Sequence, residues 1–359
     1  MPARTGGRLR LNPVSPPNVL ALERWIERLG GRTVVVWGDF MLDEYWRCLS
    51  RRVSREAPVL ILDWQGRSAN AGGAANAALN LAALGARTRA VGFVGADGAG
   101  HELRRLLEAA GVDTDGLLEH DHAPTVVKTR IVAGSVHTAL QQVVRVDRGA
   151  PFPPAGSTKV VLSAALTEAS RGAHAVVLSD YGYGSVTPKQ ARPWIRRWRD
   201  AGVVIALDAR FSLAEYRGIT LATPNESEAS EAAGLAVRNE ADLIHVAARL
   251  RRRTRAEALL ITRGRDGLTW WDGRGGTSLE AWGGEEAVDV TGAGDAVVAT
   301  ATLALAAGAP PMAAAALANV AGSVAVSRRG TVAVTVRELR QALRRGARRV
   351  STRRRSART

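Results

Sequence analysis

The 359-residue sequence holds a single cysteine, Cys48. An internal disulfide and a cysteine-built zinc site are both excluded by that count. Six histidines are present, and none has a metal-site partner at helical spacing. No clean apolar run of about 20 residues occurs, so a membrane-spanning helix is not expected. The Ala-rich segments are each broken by Gly, Pro or Arg. The opening stretch MPARTGGRLRLNPVSPPN lacks the apolar core of a secretory leader. Residues 1–18 read instead as a disordered lead-in, and a cytoplasmic protein is expected. Neither a Gly-x-Ser-x-Gly elbow nor a phosphate-binding loop ending in Gly-Lys-Ser/Thr is found, which argues against a serine hydrolase and a P-loop enzyme.

Acidic residues are also scarce, 34 against 49 Lys and Arg, for a net charge of +15. The location of that charge matters more than its size. Residues 337–359 carry ten Arg and one Glu, so +9 lies there and +6 is spread over the remaining 336 residues. Residues 346–359 read as a disordered basic tail that touches acidic surfaces non-specifically, and no specific nucleic-acid partner is expected. Hydrophobic residues make up 46%, enough for one large packed domain over residues 19–345.

Within that domain, apolar β-forming runs alternate with helical patterns, which predicts an α/β fold with a mainly parallel sheet. The runs 33-TVVVWGDF-40, 175-AVVLSD-180 and 203-VVIALDAR-210 read as buried strands, each with an aspartate at its carboxyl end. Ligands bind at that edge of open α/β sheets, which makes Asp39, Asp180 and Asp208 candidate ligand contacts. Asp43, just beyond the first strand, is a candidate for gripping a sugar hydroxyl or a residue of a surface turn. Gly72 and Gly73 open an Ala/Leu/Asn helix in which Asn76, one turn in, is placed to meet a hydroxyl; Asn80 reads as a core polar contact. Two segments, about 45–64 and 124–147, break this rhythm by alternating polar and apolar residues. They predict a small four-stranded sheet outside the main one, suited to serve as a lid, with the second pair turning at a Gly-Ser. Arg51, Arg52 and Arg55 in the first segment are free to meet an anion or to be solvated. Arg196, Arg197 and Arg199, interleaved with Trp194 and Trp198, read as a solvated helix face with aromatic anchors.

The segment 287-AVDVTGAGDAVVATATLALAAG-308 organises the rest. It reads as a strand end, a turn of small residues and a buried helix. The first turn of a helix offers free N–H groups and the positive end of its dipole, an anion site. Asp295 in that turn is placed to take a proton from an alcohol, or simply to cap the helix. At 219-ITLATPNESEAS-230, Asn225 and Glu228 either cap a helix or orient Mg²⁺ and its waters. Arg263, in the turn after the next strand, can pair with a phosphate or lie on the surface.

The two signatures GGAANAALNLAALGA and VDVTGAGDAVVATATLALAAG, in that order along the chain and about 215 residues apart, resemble those of ribokinase-like (PfkB-type) carbohydrate kinases. The resemblance covers roughly residues 30–345. GDFMLDEYW, SREAPVLIL, QQVVRVD, LSDYGYG and TRGRDG further resemble the kinase domain acting on D-glycero-β-D-manno-heptose 7-phosphate in bifunctional ADP-heptose synthesis enzymes. No segment resembles the nucleotidyltransferase half of those enzymes. The resemblance implies a three-layer ribokinase-like sandwich with a β-sheet lid, and an ATP- and Mg²⁺-dependent kinase phosphorylating an anomeric hydroxyl. It implies Asp295 as base, the amides of Gly292, Ala293 and Gly294 as anion hole, and Asn225 and Glu228 at metal and phosphate. It implies Thr262, Arg263, Gly264 and Asn319 at the nucleotide, and Asp39, Asp43, Gly72, Gly73 and Asn76 at the sugar. Asp289 matches a position that can help hold a monovalent cation such as K⁺, and a homodimer through the lid strands is expected. Two departures stand out: Tyr183 and Arg210 occupy positions where such heptose kinases carry lysine. Arg52, Lys128, Arg130 and Arg145 are the lid cations expected to compensate. A kinase for a ketose, ribose or nucleoside, and a non-catalytic sugar- or nucleotide-binding regulator, are the alternatives.

Overall fold

The computed structural model describes residues 11–13, 18–134, 140–152, 156–283 and 287–356. In chain order the elements are β1 (Leu11–Pro13), α1 (Val19–Glu27), β2 (Thr33–Val53), β3 (Leu60–Gly73), α2 (Ala74–Ala83), β4 (Arg87–Gly95), α3 (Gly98–Ala109), β5 (Asp113–His120), β6 (Val126–Gly134), β7 (Gln141–Arg148), α4 (Ser157–Ala169), β8 (Ala175–Asp180) and α5 (Pro188–Asp200). They continue with β9 (Val204–Ala209), β10 (Leu221–Ala222), α6 (Glu226–Ala233), α7 (Glu240–Thr254), β11 (Ala258–Thr262), β12 (Leu268–Trp271), β13 (Gly276–Leu279), α8 (Ala293–Ala306), α9 (Pro311–Val326) and α10 (Val336–Ser356).

The main sheet runs β1-β13-β12-β11-β10-β9-β8-β2-β4-β5. From β11 to β5 every neighbouring pair is parallel, while β12 is antiparallel to both β11 and β13. Parallel strands need coverage on both faces. One face carries α1, α2, α3, α8, α9 and α10, packed around Val34, Val36, Leu81, Leu303 and Leu317. The other carries α4 to α7, around Val35, Trp37, Ile195, Leu207 and Leu250. Odd and even residues of β2 feed opposite cores, as strand pleating requires. The fold is therefore a three-layer α/β sandwich.

A second sheet of four strands, β3-β2-β6-β7, stands off the first. Its construction differs from two short strands confined to 45–64. β2 is one 21-residue strand. Its first part, through Asp39, pairs with β4 and β8 in the main sheet. From Phe40 onward it pairs with β3 and, from Met41, with β6. The alternating pattern marked where this strand became half-exposed, not where it began. The predicted Gly134–Ser135 turn between β6 and β7 falls partly outside the described residues. Glu44, buried on β2, accepts from Thr129 Oγ1 at 2.6 Å and pairs with Arg67 of β3. Arg67 in turn grips Glu102 of α3 at 2.7 Å, which ties the small sheet to the body.

Two terminal expectations are corrected. Leu11–Pro13, within the expected lead-in, pairs in parallel with Gly276–Ser278 and extends the main sheet; residues 1–10 and 14–17 lie outside the described residues. Residues 346–356 continue α10 instead of forming a disordered arm; residues 357–359 are outside the description. Among the described residues no helix is long and apolar enough to cross a membrane.

Candidate active site

The site forms where β2 leaves the main sheet and α8 begins. Gly292 caps α8 in the left-handed region, at φ 78°. A Cβ there would stand 2.6 Å from Asn76 Nδ2, so both the conformation and the space require glycine. This close approach brings α2 against the start of α8. Asn76 Nδ2 donates to Asp295 Oδ2 at 2.7 Å. Asn76 Oδ1 accepts from Asn80 Nδ2 at 3.2 Å, and Asn80 Oδ1 accepts from the Val334 N–H at 2.9 Å. The chain of amides fixes the orientation of the Asp295 carboxylate. Tyr181 completes it from the other side: its hydroxyl lies 3.1 Å from Asp295 Oδ1 and 3.3 Å from Asp208 Oδ2. One O–H serves two carboxylates and can donate to only one at a time.

Burial decides the electrostatics here. Asp295 is 4% exposed, and its pKa is pushed up to about 7, chiefly by desolvation. The hydrogen bonds from Asn76 and Tyr181 oppose that rise without cancelling it. Asp208 is raised well above the carboxylate range, by burial first and then by repulsion from Asp295 and Glu228. Burial also raises the Tyr181 hydroxyl, and Glu228 rises for the same reason with Arg210 opposing. Asp295, Asp208 and Glu228 thus face one region, with Arg210 the guanidinium that opposes the rise at Glu228, an environment a divalent cation relieves.

A cleft of about 1230 Å³ opens from Asp295 and Asp208 past Asn225, Glu228 and Arg210 to Trp282 and Asn319. Thr262, Gly264, Gly292, Ala293 and Gly294 also line it. The candidate nucleotide residues therefore converge, with one exception. Arg263 turns away and pairs with Glu226 at 3.2 Å; Arg265, two residues on, faces the cleft instead. Asn225 and Glu228 form a reciprocal capping box on α6, at 2.8 and 2.9 Å. That engages Glu228 Oε2, and no bond to its second oxygen appears among the described residues. Asn319 Nδ2 donates to the Glu280 carbonyl at 2.7 Å. Within the anion-hole turn, the Ala293 N–H is spent on Val290 O at 3.3 Å, while those of Gly292 and Gly294 have no protein acceptor among the described residues.

On the small-sheet side, Asp43 pairs with Arg130 at 2.6 Å. A Cβ on Gly72 would sit 2.7 Å from the Asp43 carboxylate, and one on Gly73 (φ 55°) would sit 2.9 Å from Asp39 O. Lys128, 7% exposed, holds its ammonium 5.2 Å from the Tyr181 ring and 5.9 Å from the Tyr183 ring. The ammonium makes no hydrogen bond among the described residues, and burial lowers its pKa against the pull of Asp43. The lid lysine thus lies over the Tyr181 ring, with the Tyr183 ring 5.9 Å away.

Several candidates have other duties. Asp39 accepts backbone N–H groups from Tyr181, Tyr183 and Ser185 at 2.8, 3.0 and 3.0 Å. It shapes the loop that carries Tyr181 and is buried beneath it; burial raises its pKa to about 6. Asp180 accepts from Gly182 N, Tyr216 Oη and Ser212 Oγ, so it too is a loop anchor. Asn76 positions Asp295. Asp208 belongs to the large cleft with Glu228, not to the small-sheet side. Arg145 pairs with Asp147 on its own strand at 2.8 Å. Arg52 is exposed nine residues beyond Asp43, roughly 30 Å along the strand. Both oxygens of Asp289 accept N–H groups, from Thr291 at 2.9 Å and Gly330 at 2.8 Å. Burial works against that carboxylate, but these donors outweigh it and lower its pKa.

Tyr181, Arg265 and Trp282 were not singled out from the sequence. Tyr181 had a signal, since it directly follows a strand-end aspartate. The other two depend on which way a turn points.

A buried carboxyl group at a helix start, a carboxylate-lined cleft and a mixed sheet inside a three-layer sandwich are the features of a sugar kinase architecture. Residues 32–143 and 201–337 match the pfkB family of carbohydrate kinases, and the chain belongs to that family. It is an ATP-dependent sugar kinase. The bifunctional protein HldE of Mesorhizobium japonicum is 38% identical over 330 residues, covering 92% of this chain and 65% of that protein. HldE of Hahella chejuensis is 40% identical over 312 residues, covering 86% and 63%. The chain thus spans somewhat under two thirds of these relatives. Escherichia coli phosphofructokinase-2 in complex with substrates and products superimposes with a TM-score of 0.72 at 20% identity, over 88% of this chain and 100% of that one. Arabidopsis thaliana ribokinase complexed with ribose and ATP gives 0.69 at 20% identity, over 88% and 99%. At that identity these structures show the shared fold.

Proposed function

We propose that the chain transfers the γ-phosphoryl group of ATP to the anomeric hydroxyl of D-glycero-β-D-manno-heptose 7-phosphate, giving the 1,7-bisphosphate for nucleotide-heptose synthesis. The observation that carries this reading is the placing of Asp295 between the large cleft and the small sheet. The motif resemblance and the HldE relatives supply the choice of sugar. In the proposed reaction the sugar lies between Asp43 and Lys128, and ATP fills the cleft toward Trp282. Asp295 accepts the hydroxyl proton as the sugar oxygen bonds to phosphorus and ADP departs. A base whose pKa sits near 7 is matched to that task, typically worth about 10²–10⁴ in rate. The free N–H groups of Gly292 and Gly294 meet the transferring phosphoryl group. Lys128 and Arg130 are the cations for the sugar phosphate, taking the part of the lysine that Tyr183 replaces.

The donor set fits Mg²⁺. No three acidic or histidine groups among the described residues converge closely enough to ligate a metal directly. Asn225 and Glu228 would therefore hold it through water and phosphate, as Mg²⁺ commonly is held. When bound it supplies charge neutralisation of the phosphates. Asp289, with both oxygens taken, is a weak K⁺ ligand, and initial rates in K⁺ against Na⁺ test whether a monovalent cation matters. ATP as donor supports a cytoplasmic reaction. The exposed valines of β7 (Val143, Val144 and Val146, 43–46% exposed) support a homodimer through the small sheet.

The test is ATP consumption with Mg²⁺ and a panel of heptose 7-phosphate, fructose 6-phosphate, fructose and ribose. Turnover confined to the heptose phosphate is expected. Preferred turnover of another sugar would keep the kinase chemistry and overturn the substrate.

A further inference from the structure

Five arginines line one small cleft remote from Asp295. Arg192, Arg196 and Arg199 project from one face of α5, at helical spacings of four and three. Arg217 and Arg255 join them from the segments leading into β10 and β11. These segments lie at the amino ends of their strands. The candidate active site lies at the carboxyl ends of the same strands, where Thr223 and Asn225 follow β10 and Thr262 ends β11. The cleft is therefore on the opposite edge of the sheet.

The charges in it are poorly compensated. Among the described residues Arg192, Arg196 and Arg255 form no ion pair, and Arg199 has only Asp200, at 4.0 Å. Arg217 turns one guanidinium nitrogen to the Arg253 carbonyl. The Arg199 guanidinium packs on Gly218, close enough that a Cβ there would lie 3.0 Å from it. Some arginines elsewhere are neutralised, Arg67 by Glu102, Arg104 by Glu119 and Arg171 by Glu168, whereas none of these five meets a carboxylate closer than 4.0 Å among the described residues. Gathering five like charges around one concavity costs repulsion that a bound anion removes. Guanidinium forks match phosphate oxygens in geometry, and several forks favour several oxygens. The volume, about 160 Å³, lies below the range of about 300–1,000 Å³ typical of pockets for whole organic ligands.

We propose that this cleft is a second anion site that takes an oligophosphate, either inorganic or the phosphate tail of a nucleoside polyphosphate. The two sources share the chemistry and are separable by titration. The active-site cleft is first saturated with β,γ-imido-ATP, and pyrophosphate binding is then measured calorimetrically on the full chain. Wild type is expected to bind one further pyrophosphate. The R196S/R199S variant is expected to bind it roughly tenfold or more weakly, with kcat and the KM for ATP unchanged. Both residues are exposed, so folding should persist, and a matching thermal melt checks that. A stoichiometry of two imido-ATP per wild-type chain, falling to one in the variant, supports the nucleotide source; one in both, with pyrophosphate still bound by wild type, supports the inorganic one. The proposal is overturned if wild type binds one imido-ATP and then no pyrophosphate, if the variant binds either second-site ligand as well as wild type does, or if only long polyanions such as duplex DNA bind.

Discussion

Replacing Asp295 with Asn should make the protein more stable at neutral pH while disabling it. The wild-type carboxyl is ordinary in the unfolded chain, near 3.8, and pushed up to about 7 in the folded one. A folded group with a raised carboxyl pKa is favoured in its protonated form. Its contribution is present at low pH and lost as pH rises from about 4 through about 7. Above that range the folded protein carries a buried charge at a cost of at most about 4 kcal/mol. Asn keeps the shape and the bond from Asn76, and it carries no charge. The two flanking donors lose a charged acceptor in exchange, so a gain of about 2 kcal/mol is expected. Urea unfolding at pH 8 should show that gain, and by pH 4.5 the difference should have fallen by about 3 kcal/mol, leaving the variant about 1 kcal/mol the less stable of the two. In the same variant kcat should fall at least about 100-fold. A variant less stable than wild type at pH 8, or a difference that ignores pH, would refute a buried ionised carboxylate. Near-normal kcat would remove Asp295 from proton transfer.

Tyr181→Phe removes a donor that holds the Asp295 pKa down. The acidic limb of kcat/KM against pH should move upward, and an unmoved limb would sever Tyr181 from Asp295. Lys128→Met keeps the packing on the two tyrosine rings and deletes the charge; kcat/KM for the sugar phosphate should fall roughly 10- to 100-fold, with ATP saturation little changed. If the loss appears in the KM for ATP instead, Lys128 serves the donor. Asp39→Ala leaves three backbone N–H groups without their acceptor, so a loss of several kcal/mol of stability is expected in chemical denaturation, along with disordering of the loop that carries Tyr181.

The sequence by itself determined the α/β class, the buried strands and the start of α8. These are local properties: runs of Val, a turn built of Gly and Ala, and an apolar helix carry their own periodicity. Gly292 was legible because a left-handed cap tolerates little else. The sequence also placed Asp39, Asp180, Asp208 and Asp295 at one edge of the sheet, since each ends a strand or begins a helix there. It did not divide the work among them. That division depends on which donors a carboxylate meets across the fold. Asp39 meets three N–H groups more than 140 residues away, and Asp180 meets Ser212 and Tyr216, so both became anchors. Asp295 meets Asn76 and Tyr181 from two other elements and stays short of full compensation, which suits it to the proposed role of base. Likewise Arg263 and Arg265 look alike in a turn, and only the position of Glu226 on α6 decided which one faces the cleft. The unbroken course of β2 through both sheets was a tertiary outcome as well. Its alternation begins where one face loses its covering helices, a boundary set by the packing around the strand and not by the strand's own residues.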